Sequence, residues 1–159
     1  MLDIIKNYFW VFFISMLPII ELRGAIPVGI ATGLPVIPVF VVAIAGNLLP
    51  VPFLLFFGKK LLLILAEWKY IGKFFKRILE RAERRSDKIG KYQFAGLMLF
   101  VGIPLPGTGA WTGSIIATLL GMRTKNSFLS IALGVLIAGV VMSLASAGLL
   151  GIFNMLFSY

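Results

Sequence analysis

The sequence predicts an all-α integral membrane protein, an inverted repeat of two re-entrant helical hairpins and two transmembrane spans joined by a cytoplasmic amphipathic helix. Three observations predict it. The chain is 60% hydrophobic with a mean hydropathy of +1.02, and its 15 basic and 6 acidic residues among 159 are too few to cover a soluble globule. Two apolar stretches are broken by prolines and glycines in the same pattern, with Pro18 leading Ile30-Ala31-Thr32 by the spacing at which Pro104 leads Ile116-Ala117-Thr118. Eleven of the 15 basic residues fall between Lys59 and Lys91.

The chain is read as one membrane domain, 1–159, with repeat 1 at about 8–58, a basic linker at about 59–91 and repeat 2 at about 92–157. Met1 to Lys6 carries a single lysine ahead of a long apolar run, and the small residues Gly24 and Ala25 sit behind Glu21, Arg23 and Pro18. That is not a signal-type cleavage site, so the N-terminus is expected to be mature. The first broken segment, about 8–33, holds Glu21 and Arg23 deep in apolar sequence, where a charge costs several kcal/mol unless it is paired, solvated or used. Residues two apart on a helix face away from each other. Glu21 and Arg23 therefore cannot pair while the segment is helical: either the chain unwinds near Gly24, helped by Pro18 and Pro27, or each charge finds a partner elsewhere.

Val36 to Gly58 is long and apolar enough to cross about 30 Å of hydrocarbon, and Ser127 to Gly148 is equally able. Asn47 in the first span reads as glue between helices before it reads as a ligand contact. Gly134, Gly139, Ser143, Ser146 and Gly148 in the second indicate a face packed on protein. In the linker, Ile71, Phe74, Phe75, Ile78, Leu79 and Ala82 recur at helical spacing, with basic and acidic residues between them. This predicts an amphipathic helix lying on the anionic cytoplasmic leaflet.

Charge also sets the topology. Four full spans would place Arg123 and Lys125 outside while the linker stays inside, against the positive-inside tendency. Re-entrant hairpins put both basic regions on the cytoplasmic side and both termini outside, with the hairpin tips meeting near the midplane around a cavity. The second broken segment, about 93–121, brings Pro104, Pro106, Gly107 and Gly109 to its tip. Thr108, Thr112 and Trp111 can complete a substrate or ion site with Glu21, Arg23, Gly24, Pro27 and Asn47, although Trp111 by itself also fits a simple interface marker.

The chain has neither cysteine nor histidine, which removes disulfides, thiolate ligands, paired-histidine metal helices and serine–histidine couples. Ser114 and Ser130 lack a histidine base. No enzyme, cofactor, metal or nucleic-acid motif is found. In a chain without histidine, Glu21 is the candidate proton carrier.

The Glu21-Leu22-Arg23-Gly24-Ala25-Ile26-Pro27 run, the Gly46-Asn47 pair, the basic linker and the Gly102 to Gly113 run together resemble the small multi-drug export protein family over nearly the whole chain. That family is in turn remotely similar to the DedA and VTT-domain membrane proteins, which pair two re-entrant hairpins and are implicated in moving lipids, including undecaprenyl phosphate, across bilayers. The DedA hairpin carries arginines that this chain lacks: Gly102-Ile103-Pro104-Leu105-Pro106-Gly107-Thr108-Gly109 has apolar or small residues in their place. The resemblance implies a multi-pass inner-membrane transporter or flippase with membrane lipids as partners; Glu21 makes proton coupling the expectation, and the thin wall that four crossing elements leave around a cavity makes a homodimer the expectation. An amphipathic substrate would pass between the hairpins, an anionic lipid phosphate being slightly favoured over a lipophilic cationic drug. A non-transporting structural subunit is the other reading.

Overall fold

The computed structural model describes residues 2–67 and 87–157, with side chains described for 3–58, 60 and 92–149. The helices are α1 (Leu2–Met16), α2 (Glu21–Ala31), α3 (Val36–Leu48), α4 (Pro50–Glu67), α5 (Asp87–Gly102), α6 (Ala110–Leu119) and α7 (Thr124–Phe157). The described residues contain no strand.

The boundaries follow from local chemistry. α1 opens with Asp3 in its first turn, where a carboxylate suits the positive end of the helix, and closes at Met16, because Leu17 precedes Pro18 and is biased away from helical geometry. α2 closes on Gly33, whose φ of 83° lets the Leu34 N–H reach back to the Gly29 carbonyl. α6 closes the same way. Gly121 has φ 64° and Met122 donates to the Ala117 carbonyl. Between α3 and α4, Leu49 keeps helical dihedral angles while Pro50 and Pro52 withhold two backbone donors, so the path runs on as Val36–Gly58 with an interruption in its ladder.

The order helix, break, short helix, glycine turn, long apolar helix therefore occurs twice, in α1 to α4 and in α5 to α7. The packing matches as well. Gly46 of α3 lies directly against the Phe12 carbonyl of α1, and a Cβ built on Gly134 of α7 would stand 2.7 Å from the Met98 carbonyl of α5. The two halves then join, with α2 and α3 against α7 and α4 against α6. Val11, Leu22, Ile26, Val39, Val101 and Ile131 fill the core.

The distribution of polarity is that of a membrane protein. Ile19 is 92% exposed and Phe56 73%, whereas Ser15, Ser114, Ser127 and Ser130 are buried. The buried hydroxyls turn back onto their own helices, Ser15 to the Val11 carbonyl and Ser114 to the Ala110 carbonyl, while Ser130 donates across to the Phe94 carbonyl of α5. Val36–Gly58 and Thr124–Leu149 are the two helices among the described residues that are long and apolar enough to cross a membrane.

One boundary decides between alternatives that the sequence left open. The first break lies at residues 17–20, and α2 runs uninterrupted through Gly24 and Pro27. One proline costs the helix a single bond, and the burial of Leu22, Ala25, Ile26, Gly29 and Ile30 offsets it. α4 continues to Glu67 and α5 begins at Asp87, inside the two ends of the stretch read as the basic linker. The amphipathic pattern from Ile71 to Arg84 lies outside the described residues.

Candidate functional site

The site forms where the start of α2 meets the second break. Glu21 is the one non-glycine with positive φ among the described residues, at 52°. A left-handed residue costs about 1–2 kcal/mol, and here it aims a carboxylate. The side chain is 4% exposed and points at the N-terminus of α6. Trp111 N–H donates to Glu21 Oε1 at 3.2 Å, with the Ala110 N–H alongside. The N-cap position of α6 is Gly109, which has no side chain with which to cap its own helix. Glu21 supplies that cap from another segment, and Gly109 leaves the room: any Cβ there would collide with the carboxylate.

Arg23, one step along, does the converse. Its guanidinium donates to the carbonyls of Val101 (3.4 Å), Ile103 (3.2 Å) and Leu105 and to Thr108 Oγ1 (2.8 Å), closing the C-terminal end of α5 and the turn after it. Thr108 in turn lies 2.7 Å from the Ile103 carbonyl and 2.9 Å from that of Leu105. Gly107 makes the turn possible with φ 81°. An anion thus sits at a helix N-terminus and a cation at a helix C-terminus, the arrangement the helix dipoles favour. This is how a buried carboxylate and a half-buried guanidinium are accommodated with no Glu21–Arg23 salt bridge. The alternative in which each finds its partner elsewhere is the one adopted. Arg23 Nε is buried without a partner.

The tie is reciprocal. Trp111 Nε1 donates to the Met16 carbonyl at 3.0 Å, closing the end of α1. Trp111 is therefore more than an interface marker. Thr112 is half-buried and bonds to neither charge, Pro104 and Pro106 lie in the turn, and Gly24 and Pro27 sit within α2. Asn47, on α3, makes no hydrogen bond to Glu21, Arg23 or Trp111. It is 1% exposed, and neither amide atom has a hydrogen-bond partner, so it does not serve as hydrogen-bonding glue.

The acceptors at Val101, Ile103, Leu105 and Met16 escape sequence reasoning because they are backbone atoms. One signal points to them. The second break offers neither a capping side chain before α6 nor a cation after α5, so its helix ends must be satisfied from elsewhere.

The family described as "Putative small multi-drug export protein" matches residues 21–141. The chain belongs to this family. No curated protein and no solved structure matches it. The family match begins at Glu21 and takes in both charges, the whole second break and most of the apolar part of α7. The matched region therefore contains every residue that ties the two broken segments together except Met16. Family membership and the two apolar helices together make the chain a membrane protein.

Proposed function

We propose that the protein is a proton-coupled membrane transporter that exports amphipathic small molecules, and that the interlocked broken segments are its gate. The observation that carries this is the clamp: both ends of the second break are held by Glu21 and Arg23, at the start of the helix that follows the first break. Helix lengths support re-entrant hairpins. α1 has 15 residues, α2 has 11, α5 has 16 and α6 has 10. At about 1.5 Å per residue none of these reaches across a core of about 30 Å. The matching glycine turns and the paired Gly46 and Gly134 contacts support an inverted repeat.

A proton on Glu21 removes the anion from the α6 N-terminus while leaving the side chain's shape nearly unchanged, so the clamp loosens on one side as Arg23 keeps its hold on α5. A lipophilic cation acts on the same carboxylate. Proton and cationic substrate then compete for one group, which is what exchange transport requires. A lipid phosphate is the weaker candidate, because it would have to displace the carbonyl oxygens that already occupy the Arg23 guanidinium.

Proteoliposomes with an imposed pH gradient test this. Wild type is expected to move a lipophilic cation in a gradient-dependent way, and Glu21→Gln to lose that dependence while remaining folded. Full gradient-dependent transport by Glu21→Gln would make the carboxylate a structural cap alone.

A further inference from the structure

Away from the clamp, α4 and the start of α7 enclose a groove of about 670 Å³ lined by Pro52, Phe53, Leu55, Phe56, Phe57 and Phe128, with Thr124 and Lys125 at its edge. Leu55 is its buried floor, and Phe53, Phe56 and Phe57 are more than half exposed. Among the described residues no carboxylate lines it. It carries basic groups: Lys125 lines the groove, exposed Lys60 follows Phe56 and Phe57 by one helical turn on the face they share, and Gly58 packs on Thr118, which brings this stretch of α4 to the end of α6 that leads into α7. An aromatic trough with two lysines suits a molecule with an apolar chain and an anionic head. It does not suit a lipophilic cation.

We propose that this groove binds an anionic phospholipid, one acyl chain lying among the α4 phenylalanines and Phe128 and the phosphate resting on Lys125 and Lys60. The proposal rests on the membrane reading above but not on the Glu21 gate, which none of these residues touches. Each lysine near a headgroup favours an anionic over a zwitterionic lipid by about fivefold.

The test is retention of lipid by the purified full-length protein in detergent, read by native mass spectrometry against phosphatidylglycerol and phosphatidylcholine of identical chains. Wild type is expected to retain phosphatidylglycerol at least tenfold better. Lys60→Gln with Lys125→Gln, both at exposed positions, should abolish the preference. Phe56→Ala should weaken retention of both lipids about equally. Equal retention of the two lipids by wild type overturns the proposal, as does a preference that survives in the double lysine variant. So does a detergent-stable dimer that buries the groove, since a second copy would then be its occupant. Each of these failures leaves gradient-driven transport and its loss in Glu21→Gln unaffected, so the groove and the gate stand or fall separately.

Discussion

The two breaks differ in what they leave open. At residues 17–20 the chain almost repairs its own ladder, with Glu21 N–H donating to the Leu17 carbonyl at 3.1 Å and Gly24 N–H to the Ile20 carbonyl at 3.1 Å. At residues 103–109 a left-handed glycine and two prolines open a wider gap, and α6 has no side-chain cap of its own. The first break needs little help, and the helix that follows it carries both charges. The second carries none and is completed by them. A repeated architecture has thus divided its chemistry, one half supplying charges and the other the helix dipoles that stabilise them.

The largest test of this division is Arg23→Ala, which strips donors from three carbonyls and a hydroxyl at once. A cost of about 3 kcal/mol in unfolding stability is expected from charge-assisted bonds of this kind. Arg23→Lys should recover only part of it, because an ammonium cannot span the same set of acceptors. Thermal unfolding in detergent measures both, and a loss below about 1 kcal/mol for Arg23→Ala, the range of an ordinary surface change, would mean that the second break supports itself.

Two glycines sharpen the comparison. Gly109→Ala forces the Glu21 carboxylate off the α6 N-terminus, with an expected loss of about 2 kcal/mol, the usual upper range for a lost cap. Gly107→Ala meets nothing within 4 Å and pays only for its left-handed backbone, about 1 kcal/mol. Equal losses at the two sites would remove the carboxylate from the role given to it.

Trp111→Phe keeps the ring's bulk and deletes the bond to the Met16 carbonyl. About 1 kcal/mol is expected. A neutral result would leave the contact between the two breaks one-directional.

The sequence made much of this fold legible because its punctuation is strong. Pro18, Pro104, Gly33 and Gly121 each mark an element's end, and the hydropathy of Val36–Gly58 and of α7 marks the spans. Glu21 and Arg23 stand out because charges are rare in such sequence. The partners were hidden, since carbonyl and N–H groups look alike at every position until the fold decides which are left unbonded. Pro27 misled in the other direction: its disruptive tendency is local, and the packing of α2 between its neighbours overrides it. Asn47 reads as polar glue on residue type alone, yet the fold buries it without a partner.

The most direct test of the central claim, that the Glu21 carboxylate caps α6 across Gly109, is a double-mutant cycle between Glu21→Gln and Gly109→Ala, read by unfolding stability. Glu21→Gln alone should cost about 1 kcal/mol, since the amide oxygen can still accept one N–H but carries no charge. In the Gly109→Ala background, where the carboxylate is already displaced, the same change should cost almost nothing. A double variant no less stable than Gly109→Ala is the predicted result. Losses that add to within about 0.3 kcal/mol would show the two residues acting independently, and would contradict the clamp.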